Sequence, residues 1–131
     1  EWDRRAGGKA DWICRLPWQT DTRPWFAAAD VFLHTAAFEG LPLAVLEAAS
    51  FGLPMLLPDS VLDEAAPFRE AALPSSDSHE DWIGRIEDPG FRADLSERSR
   101  RLYREHFSLR SMAEGFADIY RATIDEGTAR P

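Results

Sequence analysis

Short apolar runs alternate with longer amphipathic stretches along this chain, which is the pattern of strands and helices that follow one another. Three apolar runs, at residues 30–35, 53–57 and 71–74, predict strands, and a less apolar run at residues 11–16 predicts a fourth, short strand. The run at 30–35 reads DVFLHT and is almost continuously apolar. Such continuity indicates a strand that is buried on both faces of its sheet.

The clearest helix prediction covers residues 42–51, because residues that begin and end helices flank it. Pro42 suits the first helical position, and Gly52 suits the position at which a helix stops. Apart from Glu47 and Ser50, this helix consists of apolar residues, which is typical of a helix that is buried on all sides. We therefore expect the Glu47 carboxylate to be buried and to need a hydrogen-bonding partner.

The other helices are predicted from the spacing of apolar residues. Phe116, Ile119, Tyr120 and Ile124 recur at helical intervals near the end of the chain. A loop that enters a short helix is expected at residues 59–66. Further helices are predicted at residues 24–29, 79–86, 91–105 and 108–124.

Strands that alternate with helices predict an α/β fold, with a Rossmann-like parallel sheet that helices flank. A length of 131 residues suits one domain. In such sheets, ligands bind beyond the carboxyl ends of the strands. The loop at residues 36–41 lies at such an end, directly before the helix at 42–51, and is the predicted ligand site.

Charge and cysteine content narrow the classes of partner. The formal net charge of −8 opposes contact with a phosphate backbone, so we expect no nucleic-acid partner. Cys14 is the only cysteine, which excludes an internal disulfide and a cysteine-based metal site and is consistent with the cytoplasm. The longest apolar stretch, at residues 41–58, contains Glu47 and three prolines and does not predict a membrane span.

Two glutamates mark the predicted ligand site. Seven residues separate Glu39, in the loop, from Glu47, on the second turn of the following helix. A helix N-terminus favours phosphate, and carboxylates accept hydrogen bonds from sugar hydroxyls. Spacing alone leaves alternatives open: Glu47 would equally suit an internal partner, such as a backbone amide or an arginine, or an exposed edge.

The segment AAADVFLHTAAFEGLPLAVLEAASFGLPMLL resembles the paired-glutamate region of the retaining family 4 glycosyltransferases (glycosyl transferases group 1), which have the GT-B fold. The closing stretch HFSLRSMAEGFADIY is similar to the family's last helix, so the resemblance covers about residues 11–124. The matching residues of the paired-glutamate region are Asp30, Glu39, Gly40, Glu47, Ala48, Gly52 and Pro54.

The resemblance implies a role for each matching residue. Glu39 corresponds to the acid beside the reacting centre of the donor sugar, and Glu47 to the acid that binds the ribose hydroxyls. The implied donor-binding residues are Thr35, Gly40, Leu41, Pro42, Leu43 and Glu47. Three positions depart from the family. Pro42 stands where many members have glycine, Thr35-Ala36 stands where many have Pro-Ser, and Ser60-Val61 stands where many have Gly-Gly. Glu64 matches the acid that follows the Gly-Gly pair in the family.

The family's donor domain begins with a strand, a Gly-Arg loop and a lysine, whereas only ten residues precede Asp11 here. We therefore expect residues 1–131 to be one partial nucleotide-sugar-binding domain of a longer enzyme, the incomplete C-terminal domain of a GT-B fold, with a truncated start at 1–10 and a flexible tail at 125–131. The parent would be a hexosyltransferase whose missing N-terminal domain holds a glycan or lipid-linked acceptor. This chain alone would be inactive.

The resemblance also implies that no metal or other cofactor is needed, since family members are metal-independent. It implies a cytoplasmic enzyme and leaves open a peripheral association with the inner face of the membrane. The arginines at 98, 100, 101 and 104 are expected to form a solvated helix face, and His106 to be a surface residue. The alternative function is a non-catalytic Rossmann-like module for nucleotide binding or protein interaction.

Overall fold

The computed structural model describes residues 13–36, 39–64 and 66–128 of the chain. The strands are β1 (Phe32–Leu33), β2 (Met55–Leu57) and β3 (Ala72–Pro74). The helices are α1 (Arg23–Ala28), α2 (Leu43–Phe51), α3 (Asp59–Glu64), α4 (His79–Glu87), α5 (Pro89–Leu102) and α6 (Leu109–Thr128). A 3-10 turn, Ala66–Glu70, follows α3, and a π-helical turn, Tyr103–Phe107, follows α5.

The three strands form one parallel sheet in the order β1-β2-β3. Met55 of β2 pairs with Phe32 on one side and with Ala72 on the other. Helix α2 connects the first two strands, while α3 and the 3-10 turn connect the second and third. The fold is therefore α/β, a Rossmann-like parallel sheet flanked by helices, as the alternation of apolar runs predicts.

The central strand is buried on both faces. Successive side chains of a strand point to opposite sides, and each side of β2 packs against its own core cluster. Met55 and Leu57 belong to the larger core cluster, which also contains Phe68 from the 3-10 turn. Leu56 faces the other side and packs with Leu73 of β3 and Leu95 of α5.

Strand β1 is shorter and more exposed than the sequence predicts. It pairs over two residues instead of the six predicted, and Leu33 is 55% exposed. Within the described ranges β1 lies at the edge of the sheet and is hydrogen-bonded to β2 alone. An edge strand is covered by fewer neighbours than a central strand. Burial of β1 on both faces would require a more extensive sheet than the three strands described.

Other predicted elements need smaller corrections. The strand at 11–16 is wrong over residues 13–16, which have no regular structure, and its first two positions lie outside the described residues. At 59–66 the predicted short helix is present as α3, but the loop expected before it is absent, because the helix begins at Asp59 and buries Val61 and Leu62 in the core. Helix α5 gives way to the π-helical turn after Leu102, and α6 continues to Thr128.

The apolar residues of α6 are at helical spacing, as predicted, but they are exposed. Phe116, Ile119 and Tyr120 each leave more than half of their surface open to solvent.

The arginines of α5 were expected to form a solvated face, but one of them contacts another helix. Arg100 donates a hydrogen bond to the carbonyl oxygen of Phe51, at the end of α2, at 3.2 Å. No helix among the described residues is long and apolar enough to cross a membrane.

Helix α2 ends at Gly52, as the sequence predicts. Gly52 has a φ of 71°, the left-handed conformation that strongly favours glycine. Its amide donates to the carbonyl oxygen of Ala49 at 2.9 Å, which closes the last turn. A Cβ at this position would also overlap the side chain of Arg100.

Substituting Gly52→Ala is therefore expected to lower the free energy of unfolding by about 1–2 kcal/mol through its left-handed backbone alone, with the Arg100 overlap adding to the loss. Gly115→Ala is the matched control, because a Cβ there meets no atom within 4 Å and α6 would gain helix propensity of up to ~1 kcal/mol. Urea unfolding followed by circular dichroism measures both changes. Equal stabilities for the two variants would contradict this interpretation of Gly52.

Candidate functional site

The predicted ligand loop lies at the carboxyl edge of the parallel sheet. Strand β1 ends at Leu33, and the chain then passes through residues 34–42 into helix α2. Residues 37 and 38 of this loop lie outside the described residues. The loops that follow β2 and β3 leave the sheet at the same edge, where the hydroxyl of Ser76 donates to Asp59 at 3.2 Å. The expectation that the loop stands at a strand end before a helix is thus confirmed.

Helix α2 begins one residue later than predicted. Pro42 is its N-cap residue, in an extended conformation, and Leu43 is the first helical residue. The carbonyl oxygen of Pro42 accepts hydrogen bonds from the amides of Val45 (3.0 Å) and Leu46 (3.4 Å). The amides of Leu43 and Ala44 come before the first hydrogen-bonded amide of the helix and therefore have no acceptor within it. They are the donors available to an anion at this end of α2, since Pro42 has no amide hydrogen.

Glu39 lies in the loop immediately before this helix start, and its side chain is exposed. It has no hydrogen-bond or ion-pair partner among the described residues. Gly40 has open space around it, because no atom lies within 4 Å of the position where a Cβ would stand. The loop therefore presents a solvated carboxylate beside a backbone that a ligand can approach closely.

Glu47 is exposed, so the prediction of a buried carboxylate is wrong. Helix α2 buries only one side, formed by Val45, Ala48 and Ala49, and leaves Leu43 74% exposed. A helix that is apolar all round gives no indication of which side will face the core. The Glu47 carboxylate accepts a hydrogen bond from the hydroxyl of Thr22 at 3.3 Å.

Thr22 is held in place by the start of helix α1. The neighbouring Asp21 and Arg23 form an ion pair at 2.8 Å, and the hydrogen bonds from Arg23 lower the pKa of Asp21 to about 2. Helix α1 in turn packs on α2 through the stacked rings of Phe26 and Phe51, whose centroids are 5.8 Å apart. These contacts place the Thr22 hydroxyl beside Glu47.

A groove with a volume of about 450 Å³ opens next to the ligand loop. Gly40 and Leu41 come from the ligand loop, and the other lining residues come from α3, the 3-10 turn and the π-helical turn. The groove is lined by Gly40, Leu41, Glu64, Pro67, His106 and Phe107. Of the predicted donor-binding residues, the structure brings Gly40 and Leu41 into this lining and places Glu47 outside it, towards α1.

The structure adds His106, which the sequence indicated only as a surface residue. It is exposed, as predicted, and it lines the groove although more than sixty residues separate it from Gly40. No sequence signal could have predicted that His106 and Gly40 line the same groove, because their proximity depends on where α5 ends.

A larger groove, of about 520 Å³, lies at the opposite edge of the sheet beside Asp30, Pro54 and Arg92.

Trp18, His34 and Thr35 complete the description of this region. Trp18 is 85% exposed and Thr35 is also exposed. His34 is half-buried, and its ring stacks on Phe32 with centroids 6.2 Å apart. Its Nε2 atom is buried and has no hydrogen-bond partner among the described residues. In the described part of the chain, no three His, Cys, Asp or Glu side chains come together as metal ligands would.

Comparison with known proteins identifies the family. The model of the family described as "Glycosyl transferases group 1" matches residues 1–88, about two thirds of the chain. This match includes the loop with Glu39, helix α2, and the strands β1 to β3. A search of curated proteins gave no match. The match supports glycosyl transfer as the general chemistry, with a sugar donor and an acceptor as its substrates, and the chain therefore belongs to the group 1 glycosyl transferases.

Proposed function

We propose that this chain is the donor-binding part of a retaining, GT-B-type family 4 hexosyltransferase that takes its sugar from a nucleotide sugar. The observation that carries the proposal is the arrangement at the carboxyl edge of the sheet. Exposed Glu39, the open backbone at Gly40 and the first amides of α2 follow one another along a single loop. This arrangement combines an acceptor for sugar hydroxyls with donors for phosphate oxygens.

Each part of the donor has a proposed contact. Glu39 faces the sugar near its reacting carbon, and the backbone from Gly40 to Leu43 faces the sugar and the diphosphate. The loss of an amide at Pro42 leaves Leu43 and Ala44 to donate to the diphosphate. Thr35, at the start of the loop, is the remaining proposed contact.

Glu47 is proposed to bind the ribose hydroxyls. In the described structure its carboxylate accepts only a long, exposed bond from Thr22, at 3.3 Å. Such a bond is weak, so exchanging it for two ribose hydroxyls would cost little. The Thr22 hydroxyl would then hold Glu47 in position while the donor is absent.

The remaining proposals follow the family resemblance. The chain would be one partial domain, and a second domain of a longer enzyme would hold a glycan or lipid-linked acceptor in the cleft between them. Closure of that cleft would exclude water from the reacting sugar. We propose that transfer requires no metal cofactor and takes place in the cytoplasm, with peripheral membrane contact when the acceptor is a lipid.

Donor binding can be tested on this chain by NMR. We expect UDP, GDP, UDP-glucose or GDP-mannose at millimolar concentration to shift the amide signals of Gly40, Leu41, Leu43 and Ala44. Signals of α4, at the far side of the sheet, serve as the internal control. If none of the four compounds shifts the loop, the chain does not form a donor site and the proposal fails.

One alternative function is a non-catalytic module for nucleotide binding or protein interaction. Pro42 favours it, because proline has no amide hydrogen to donate at a position where an enzyme would hold the diphosphate. A module of this kind would bind the nucleotide or a protein without depending on the charge of Glu39. Transfer activity in the longer protein that is lost on Glu39→Gln would exclude it.

A further inference from the structure

The groove beside Gly40 has further lining residues to which the family resemblance gives no ligand role. Glu64, the last residue of α3, and His106, in the π-helical turn, line the groove together with Gly40 and Leu41, and we call these two residues its second wall. The groove volume of about 450 Å³ is within the ordinary range of small-molecule sites, roughly 300–1,000 Å³. Since one wall is the proposed donor loop, the second wall faces the same ligand.

The π-helical turn holds His106 at this position. The next residue, Phe107, stacks on the fully buried Phe68 with centroids 5.0 Å apart and rings nearly parallel. After the turn, the hydroxyl of Ser108 donates to the carbonyl oxygen of Arg104 at 2.9 Å and accepts from the amide of Ser111 at 3.1 Å. These contacts fix the C-terminal end of the turn, next to His106, and π-helical turns of this kind are frequent at functional sites.

The chemistry of the wall suits a sugar better than a phosphate. Glu64 accepts hydrogen bonds from hydroxyls and repels the negative charge of a diphosphate, while the imidazole of His106 can both donate and accept. Both side chains are exposed, and neither has a hydrogen-bond partner among the described residues. They are therefore available to a ligand without breaking an existing hydrogen bond.

We propose that Glu64 and His106 bind the hydroxyl groups of the donor sugar, and thereby determine which nucleotide sugar is accepted. This proposal rests on the proposed donor-binding function. It predicts that substitutions in the second wall weaken the binding of a nucleotide sugar but not of the matching nucleoside diphosphate, because the diphosphate lacks the sugar that the wall contacts.

The test compares dissociation constants by NMR titration for UDP-glucose against UDP, and for GDP-mannose against GDP. Glu64→Ala and His106→Ala should each weaken binding of the nucleotide sugar by about 3- to 10-fold, the effect of one lost hydrogen bond. Binding of the matching diphosphate should stay unchanged. Glu105→Ala is the control, since Glu105 is exposed on the same turn but does not line this groove.

Three outcomes separate the proposals. A loss confined to the nucleotide sugar, with an unchanged thermal midpoint, supports the second wall. Equal effects on sugar and diphosphate, or no effect of either substitution, overturn the second wall while leaving the donor site intact. If the unsubstituted chain binds none of the four compounds, both the proposed function and this inference are wrong.

Discussion

Replacing Phe68 by alanine is expected to lower the free energy of unfolding by about 3–5 kcal/mol, the usual effect of removing a buried aromatic ring. Phe68 is the largest side chain that is fully buried in the described structure. It belongs to the cluster that also contains Met55 and Leu57 of the central strand. Stabilities of single domains are about 5–15 kcal/mol, so this loss would be a large part of the total.

The measurement is urea unfolding followed by circular dichroism, with Phe116→Ala as the matched control. Phe116 is 55% exposed on helix α6 and has no place in either core cluster. Its truncation should change the free energy of unfolding by no more than about 0.5 kcal/mol. If both substitutions had the same effect, the assignment of Phe68 to the centre of the core would be wrong.

Phe68 also connects stability to the proposed site. Its ring is stacked on Phe107, which follows His106 in the π-helical turn and lines the groove itself. Truncating Phe68 would therefore loosen one wall of the groove as well as the core.

The elements that the sequence predicts well are those that local residues determine. Strands β2 and β3 lie within apolar runs that proline or polar residues delimit, and the structure places both inside the predicted limits. The end of α2 is fixed by the left-handed conformation of Gly52. In these cases the sequence neighbours alone supply the physical cause.

Features that depend on distant parts of the chain could not be predicted. The length of β1 depends on how many strands pair with it, and the exposure of Glu47 depends on which side of α2 faces the sheet. The position of His106 depends on the change from α-helical to π-helical geometry after Leu102. The family resemblance assigned roles to Glu39 and Glu47 but gave no ligand role to Glu64 or His106.

In the longer enzyme to which we propose this chain belongs, Glu39→Gln is expected to reduce kcat by about 100- to 1,000-fold, the range found when one group that stabilises transition-state charge is removed. Glutamine keeps the size of the side chain and an acceptor oxygen, so donor binding should change little. The negative charge is lost, and with it the stabilisation of positive charge that develops on the sugar ring during transfer. Steady-state kinetics with the donor varied would measure kcat and KM separately.

Glu47→Ala supplies the contrast, because it removes the acceptor oxygens of a residue that lies on α2, outside the groove lining, and is proposed to contact the ribose. It should raise the KM for the donor by about 3- to 10-fold with a smaller change in kcat, since a ribose contact is made equally before and during transfer. Glu87→Gln, at the exposed end of α4, should leave both constants unchanged. A Glu39→Gln enzyme with normal kcat would show that the charge in the loop does not act on the reacting sugar, and Glu39 would then have a binding role at most.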